Sequence, residues 1–249
     1  MGIIRRCLPR PMWDAAFGLL RYSRRIAHLG FARYCPVCRA HVRRFKPYGV
    51  HVRPEACCPV CGAFERLRFV WLVLDARPEL LAGPDPKILH IAPEALLTRR
   101  FKGVPGAEYI SADLESSKAM VCMDVQQIQY PDNAFDLIYC SHVLEHVPDD
   151  NKAMREFYRV LKPGGRALIM VPINVEQTVE DPSVTDPAER LRRFGQEDHV
   201  RKYGPDVVDR LRRAGFDVET ITAEDVAAEK ARKRMALRKS KLFLCKKPG

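Results

Sequence analysis

Four cysteines form the clearest candidate site for chemistry in this 249-residue sequence. They occur in two Cys-Pro-Val-Cys segments, and nineteen residues lie between the segments. Each tight turn directs two thiolates toward one ion, and two such turns complete a tetrahedral zinc site. A site closed by four protein ligands leaves no position for a substrate, so the predicted role of the zinc is structural. The expected ligands are Cys35, Cys38, Cys58 and Cys61.

Basic side chains fill the segment between the two cysteine pairs. A further thiol, Cys57, stands directly before Cys58, although only Cys58 repeats the pattern. A basic segment with aromatic neighbours suits either nucleic acid or a charged small substrate. The residues concerned are Arg39, Arg43, Arg44, Lys46, Tyr48, His51 and Arg53.

The net charge of +11 is concentrated at the two ends of the chain. Residues 1–53 contain twelve Lys or Arg and one acid, and residues 230–249 contain nine Lys or Arg and no acid. Such ends predict contact with RNA or an anionic membrane surface, or they simply carry solubilising charge. Residues 11–30 have the spacing of a short basic amphipathic helix, which lies on a membrane or packs on its own protein.

No apolar run reaches the roughly 20 residues that span a bilayer, and the arginine-interrupted N-terminus lacks the apolar core of a secretory signal. We therefore expect a cytoplasmic protein without a transmembrane segment. Nine cysteines, four of them in Cys-x-x-Cys units, are consistent with metal binding in a reducing compartment.

Strands and helices are predicted to alternate from Lys87 onward, which favours an α/β fold with a parallel sheet covered by helices on both faces. The predicted strands are Ile88–Ala92, Glu108–Ala112, Ala134–Cys140, Arg166–Val171, Phe216–Ile221 and Lys241–Cys245. The predicted helices are Glu94–Phe101, Asp150–Leu161 and Asp206–Ala214, with the second ended by Pro163-Gly164-Gly165.

The expected organisation has four parts. A basic arm covers residues 1–33, a zinc-ribbon-like module covers 34–64, and an apolar linker helix covers 65–85. A catalytic domain with a basic C-terminal tail then occupies residues 86–249.

Several ordered motifs after Tyr109 resemble those of class I S-adenosylmethionine (SAM)-dependent methyltransferases, particularly their small-molecule branch. The resemblance covers about two thirds of the chain and implies a Rossmann-like sheet and SAM as the cofactor. The motifs are Ser111-Ala112-Asp113-Leu114, Met123-Asp124-Val125, Tyr130-Pro131-Asp132-Asn133-Ala134-Phe135-Asp136, Ser141-His142-Val143-Leu144-Glu145-His146-Val147-Pro148 and Arg159-Val160-Leu161-Lys162-Pro163-Gly164-Gly165.

The resemblance implies a role for each strand end in cofactor binding. An acid at the end of the second strand, Asp113, accepts both ribose hydroxyls. Asp124 and Val125 meet the adenine, and Ser141 borders the methionyl part of the cofactor. The first loop departs from the family, because Ala92 and Glu94 stand where closely spaced glycines are expected. A glycine-free loop adopts positive φ only at a cost, and Glu94 could serve as a counter-charge for the cofactor ammonium.

Methyl transfer needs alignment of donor and acceptor, and a base where the acceptor carries a proton. The candidate catalytic bases are His142, His199 and, with a structural role as its alternative, His146. His199 lies within a 177–201 segment long enough to cover a substrate. His142-Val-Leu-Glu145-His146 also resembles the ExxEH motif with which some related O-methyltransferases hold a divalent ion, except that His142 replaces the first glutamate.

Three functions remain open on the sequence alone. The first is a SAM-dependent methyltransferase that acts on a small molecule such as a sugar, lipid-linked or secondary-metabolite acceptor. The second is an RNA methyltransferase whose basic zinc module holds the RNA backbone. The third is a non-enzymatic, zinc-stabilised binding protein on a degenerate methyltransferase scaffold, which the unusual first loop suggests.

Overall fold

The computed structural model describes residues 10–49, 52–115 and 117–249. The side chains of residues 10–17 and the whole of His51 lie outside this description. By their internal contacts the residues form two compact units. Unit 1 comprises the described residues up to position 75 together with 226–238, and unit 2 comprises the described residues of 76–225 together with 239–249.

Among its described residues, unit 1 contains two small antiparallel β-ribbons and all or part of four helices, the second of which continues one residue into unit 2. Its ribbons pair β1 with β2 and β3 with β4. Its elements are α1 (Arg10–Ala27), β1 (Leu29–Cys35), β2 (Ala40–Val42), β3 (Lys46–Tyr48), β4 (Arg53–Cys57) and α2 (Glu65–Ala76). Two further helices follow much later in the chain, α7 (Ala223–Val226), which spans the unit boundary, and α8 (Glu229–Met235).

A buried arginine holds unit 1 together. The Arg68 guanidinium has no exposed surface and lies 4.1 Å from the ring centroid of Phe45. It donates hydrogen bonds to the carbonyls of Ala56 and Ala63 at 3.0 and 2.8 Å, and to that of Met235 at 2.8 Å. Burial lowers the pKa of Arg68 from its usual value. These bonds attach α8 to the cysteine-containing ribbons, a contact across more than 160 residues that local sequence patterns do not reveal.

Unit 2 is built on a seven-stranded sheet of order β12-β13-β9-β8-β5-β6-β7. Its strands are parallel except β13, which runs antiparallel to both of its neighbours. The sheet strands are β5 (Lys87–Ile91), β6 (Glu108–Asp113), β7 (Val121–Cys122), β8 (Phe135–Ser141), β9 (Leu161–Met170), β12 (Asp217–Thr222) and β13 (Lys241–Lys246). The helices are α3 (Ala95–Lys102), α4 (Asp150–Val160), α5 (Pro187–Phe194) and α6 (Val207–Arg213), with a short 3₁₀ helix at Pro78–Leu80 and a ribbon of β10 (Val179–Glu180) and β11 (Arg201–Lys202).

The sheet confirms the predicted α/β class, and the last two strands of the chain pair with each other. Buried aliphatic side chains of the central strands, such as Leu89, Ile138 and Ile169, form its core. The connection β5–β6–β7 proceeds toward one edge, and the chain then crosses to β8 on the other side of β5. Because parallel crossovers are right-handed, this reversal places α3 and α4 on opposite faces and opens a crevice at the carboxyl ends of β5 and β8.

One local prediction was wrong. α4 ends at Val160 and β9 already begins at Leu161, so Pro163-Gly164-Gly165 lies inside a strand. The pairing of β9 with β8 shifts there, and Gly164 adopts a φ of 76° while its amide donates to the Lys247 carbonyl. Within the basic segment 230–249, by contrast, the predicted strand Lys241–Cys245 is confirmed, because residues 241–246 form an interior strand of the sheet.

Candidate functional site

Three predicted cofactor residues meet at the crevice. Ile91 of β5 pairs with Ala112 of β6 on one side and with Cys140 of β8 on the other. The residues that follow these three are Ala92, Asp113 and Ser141. Since the strands are parallel and in register, these residues lie at one edge of the sheet, at the point where winding reverses.

Ala92 adopts the conformation that a glycine normally supplies. Its φ is 49°, and its amide donates a hydrogen bond to the Ala112 carbonyl at 2.9 Å. An L-residue pays about 1–2 kcal/mol for the left-handed region. The first loop therefore adopts a positive φ without glycine. The strained residue is the half-buried Ala92, whose side chain is a single methyl group.

The buried side chain of His90 contacts this loop and the residues that support it. The Glu94 amide donates to Nε2 of His90 at 3.4 Å, so the proton of the neutral ring resides on Nδ1 and points to the Tyr109 hydroxyl at 3.0 Å. That hydroxyl lies 3.0 Å from Oγ1 of Thr98 in α3. The ring packs edge-on against Tyr139, whose hydroxyl donates to Oε2 of Glu94 at 3.4 Å. This network fixes the position of Glu94, the predicted counter-charge for the cofactor.

Burial lowers the pKa of His90 to about 3, and this makes a prediction about acid stability. The unfolded ring takes up a proton near pH 6.5 and the folded ring does so only near pH 3, so stability falls as the pH falls below 6.5. The slope from this residue is about 1.4 kcal/mol per pH unit. Between pH 6.5 and 5, urea unfolding of the wild type should therefore lose about 2 kcal/mol more than that of His90→Gln. Parallel pH profiles for the two proteins would contradict this account.

Each of the two predicted acids lies in a turn. Oδ1 of Asp113 accepts the Glu115 amide at 3.1 Å, and within the described residues its Oδ2 has no partner. Asp124 accepts the amide of Gln126 at 2.8 Å and is also bonded by the side-chain amide of Gln126. Val125 is buried. Among the described residues, Oδ2 of Asp113 is therefore open to a ligand, whereas Asp124 would have to exchange its contact with Gln126 to bind one.

The end of β8 carries a second strained residue. Oγ of Ser141 is buried and makes no hydrogen bond within the described part of the chain. His142 follows with a φ of 55°, and its Nδ1 lies 3.1 Å from Oε1 of Glu145. Glu145 is 1% exposed, and its other oxygen, Oε2, is buried without a partner among the described residues. Two unsatisfied polar atoms next to the crevice are costly unless a ligand meets them.

The structure brings the second predicted base, His199, into the same cluster. Its ring lies 4.6 Å from that of His146, and the amide of the following residue, Val200, donates to the Glu145 carbonyl at 3.0 Å. His199 is 6% exposed, and burial lowers its pKa from the usual value. Glu145, which links His142 to this group, was considered from sequence only as part of a motif.

Arg201 holds the loop that carries Glu145 and His146. Its guanidinium is 3% exposed and donates to the carbonyls of Leu144 and Pro148, each at 2.7 Å, as well as to that of Val147. Glu180 accepts from its Nε at 2.9 Å. Local sequence patterns do not reveal this role, because Arg201 and the three carbonyls are more than 50 residues apart.

The four predicted zinc ligands converge in unit 1. The Sγ atoms of Cys35 and Cys61 are 3.7 Å apart, and those of Cys38 and Cys58 are 3.8 Å apart. These separations exceed the about 2.05 Å of a disulfide. They match the about 3.8 Å edge of a tetrahedron whose metal–sulfur bonds are about 2.3 Å. All four sulfurs lie within 4.8 Å of one another, so the donor set fits a tetrathiolate zinc site.

Unit 1 also carries a basic groove of about 780 Å³ beside the end of α1. Its lining combines aromatic and proline side chains with cations and one acid. The residues are Ala27, His28, Arg43, Arg44, Phe45, Lys46, Pro47, Pro54 and Glu55. Three members of the predicted basic segment, Arg43, Arg44 and Lys46, therefore lie at one concave surface.

Comparison with known proteins agrees with this site. The family described as "Methyltransferase domain" matches residues 95–169. The ubiquinone/menaquinone biosynthesis C-methyltransferase UbiE of Enterobacter sp. (strain 638) is 36% identical over 103 residues. That match covers 41% of this chain, which spans only 36% of the relative's length.

Solved structures show the same fold. The [4+2]-cyclase SpnF superimposes with a TM-score of 0.53 and 15% identity, covering 74% of this chain and 83% of its own. Phosphoethanolamine N-methyltransferase 2 of Haemonchus contortus, in complex with S-adenosyl-L-methionine, has a TM-score of 0.52 and 16% identity, covering 76% and 53%. Residues 95–169 are therefore similar to the family described as "Methyltransferase domain", and the solved structures show that unit 2 has the fold of these proteins.

Proposed function

We propose that the chain transfers a methyl group from SAM to a small acceptor molecule. The observation that carries this proposal is the convergence of Ala92, Asp113 and Ser141 at the switch point of a sheet in which residues 95–169 match the methyltransferase domain. The fold by itself is insufficient support, since one structural neighbour is a cyclase.

The cofactor is proposed to occupy the crevice. Oδ2 of Asp113 accepts from the ribose, Val125 packs against the adenine, and Asp124 turns from Gln126 toward the adenine amino group. Ala92 lets the backbone approach closely, and Glu94 faces the cofactor ammonium. Ser141, whose hydroxyl lacks a partner within the described chain, borders the methionyl part. When bound there, SAM supplies an activated methyl group whose S–C bond breaks with its electron pair passing to sulfur.

His142 is the proposed base for an acceptor that carries a proton. Its Nδ1–H donates to the Glu145 carboxylate, which leaves Nε2 as a proton acceptor. As the acceptor atom forms its new bond to the methyl carbon, its proton passes to Nε2. His199 is the alternative base, but it is more deeply buried than His142.

Replacing Asp113 with Ala tests the cofactor site. Loss of two hydrogen bonds from ribose to a carboxylate should cost about 3 kcal/mol, so calorimetry should show SAM binding weakened about 100-fold. Glu115→Ala is the matched control, because only the backbone of Glu115 contacts Asp113. Equal affinities in Asp113→Ala and wild type would remove Asp113 from the site. Failure of the folded wild type to bind SAM would favour the degenerate scaffold.

We further propose that Cys35, Cys38, Cys58 and Cys61 bind one structural zinc ion. The sulfur separations carry this proposal. Four thiolates and one Zn²⁺ leave two negative charges in a buried site, and the Arg68 cation in the same unit offsets part of them.

The acceptor is proposed to be lipid-linked and reached at an anionic membrane surface from the cytoplasmic side. One face of α1 exposes Leu19 (72%), Tyr22 (64%) and Ile26 (61%), and Phe31 of β1 is 76% exposed. A basic amphipathic helix of this kind binds the interface of anionic bilayers. The quinone-pathway name of the sequence relative is consistent with a lipophilic acceptor. No helix of the described residues has the length and hydropathy to cross a bilayer.

Vesicle sedimentation tests the membrane contact. Wild type should bind vesicles containing phosphatidylglycerol, and the double variant Leu19→Glu/Ile26→Glu should lose at least about 10-fold in affinity through lost burial and added repulsion. Leu191→Glu, an exposed leucine of unit 2, should bind as wild type does. Undiminished binding by the double variant would exclude α1, and salt-sensitive binding to RNA without vesicle binding would favour the RNA methyltransferase.

A further inference from the structure

The cluster beside His142 has the composition of a metal site that is separate from the cysteines. Glu145, His146 and His199 each offer one ligand atom, and these atoms lie within 4.8 Å of one another. Two imidazoles and one carboxylate form a donor set for first-row divalent transition ions that leaves coordination positions open. Glu145 is 1% exposed, and its Oε2 has no hydrogen-bond partner within the described residues. A buried carboxylate oxygen that accepts no hydrogen bond is stabilised when it coordinates a cation.

Each of the three side chains uses one polar atom for a contact with the protein and has a second polar atom left to bind a metal ion. Nδ1 of His146 lies 3.1 Å from Oδ2 of Asp198, and Nδ1 of His199 lies 3.3 Å from the Phe194 carbonyl. Oε1 of Glu145 lies 3.1 Å from Nδ1 of His142. This leaves Nε2 of both histidines and Oε2 of the glutamate. Metal-binding histidines usually donate their other ring N–H to a carboxylate or a carbonyl, which fixes the tautomer.

Hydrogen bonds to the backbone hold the segments that carry these three residues close together. The Val200 amide donates to the Glu145 carbonyl at 3.0 Å, which places His199 beside the loop of the other two ligands. Arg201 then binds three carbonyls of that loop. The site therefore joins two segments about 55 residues apart in sequence, and both are fixed by buried hydrogen bonds.

We propose that Glu145, His146 and His199 bind one divalent transition-metal ion, of which Mn²⁺ is the probe, and that the ion's open positions take a hydroxyl of the acceptor. His142 is not a ligand in this arrangement; its Nδ1–H orients Glu145, and its Nε2 accepts the proton that the hydroxyl releases. A metal-bound hydroxyl has a lowered pKa, so the acceptor class is a hydroxyl compound. This use of the ion rests on the proposed methyl transfer, whereas binding of the ion does not.

Electron paramagnetic resonance of free Mn²⁺ tests the site in protein whose cysteine cluster is already loaded with zinc. Mn²⁺ prefers oxygen and nitrogen ligands, so it reports on this cluster rather than on the thiolates. Wild type should bind one equivalent, and Glu145→Gln, His146→Gln and His199→Gln should each weaken binding at least about 10-fold. His28→Gln in unit 1 is the matched control and should retain wild-type binding.

Calorimetry of SAM binding on the same samples distinguishes a failure of the proposed metal site from a failure of the proposed methyltransferase function. His146 is one third exposed, so its variant keeps the test decisive if the buried Glu145→Gln protein does not fold. Mn²⁺ binding that persists in the His146 and His199 variants would overturn the proposal. So would absence of Mn²⁺ binding in wild-type protein that binds SAM. Mn²⁺ binding without SAM binding would instead retain the metal site and contradict the proposed methyltransferase function.

Discussion

Replacing Cys58 with Ser is expected to remove zinc from the protein and to unfold the ribbons of unit 1. Sγ of Cys58 is 3.8 Å from that of Cys38, and Cys58 is 1% exposed, so its loss opens the tetrahedral site at a buried corner. Zinc bound to four such ligands contributes on the order of 10 kcal/mol to folding. The small β1–β4 ribbons offer few large apolar side chains that would replace this contribution.

Cys57→Ser provides a control for this change. Cys57 is adjacent in sequence and half-buried, but it does not belong to the cluster. Atomic emission should find about one zinc per chain in wild type and Cys57→Ser and little zinc in Cys58→Ser. Amide hydrogen exchange should show lost protection at β1–β4 in Cys58→Ser alone. Full zinc content in Cys58→Ser together with loss in Cys57→Ser would assign the fourth ligand to Cys57.

Replacing Arg201 with Met is expected to be the most destabilising single change in unit 2. The variant keeps similar length but leaves the carbonyls of Leu144, Val147 and Pro148 without their charged donor in a buried place. Breaking such an arrangement usually costs about 3–5 kcal/mol. For a chain of this size the melting temperature should fall by about 10 °C. The loop with Glu145 and His146 should loosen, and Mn²⁺ binding should weaken with it.

Arg192→Met is the matched comparison. Arg192 lies nine residues earlier in the same segment and is 70% exposed, and within the described part of the chain it pairs with Glu189 on α5. An exposed ion pair of this kind contributes less than about 1 kcal/mol. Thermal unfolding that shifts equally in the two variants would show that the buried carbonyl contacts of Arg201 do not stabilise the loop.

Local sequence information was sufficient for much of the fold. The apolar runs and turn residues gave strands such as Ile88–Ala92 within one residue, and the paired Cys-Pro-Val-Cys segments gave the cysteine cluster, because both signals lie within a few residues. The strand ends then placed Asp113 and Ser141 together, since parallel strands in register align their carboxyl ends. The binding and catalytic roles assigned to these residues stay predictions.

Features that depend on distant contacts could not be predicted. His199 reaches Glu145 and His146 only because the 177–202 segment folds back and is fixed by Arg201, which periodicity does not encode. Ala92 adopts a positive φ although its loop lacks glycine, and the hydrogen bond from its amide to Ala112, which is distant in sequence, holds that conformation. The attachment of α8 to unit 1 rests on Arg68, a single buried side chain.

The central claim is that the carboxyl ends of β5, β6 and β8 hold an adenosine so that an activated methyl faces an acceptor. A crystal structure of the zinc-loaded protein with S-adenosylhomocysteine tests this most directly. The account predicts the ribose hydroxyls at the Asp113 carboxylate and the homocysteine part beside Ala92 and Ser141. A crevice closed by protein side chains, or a ligand bound elsewhere and out of reach of Oδ2 of Asp113, would contradict it.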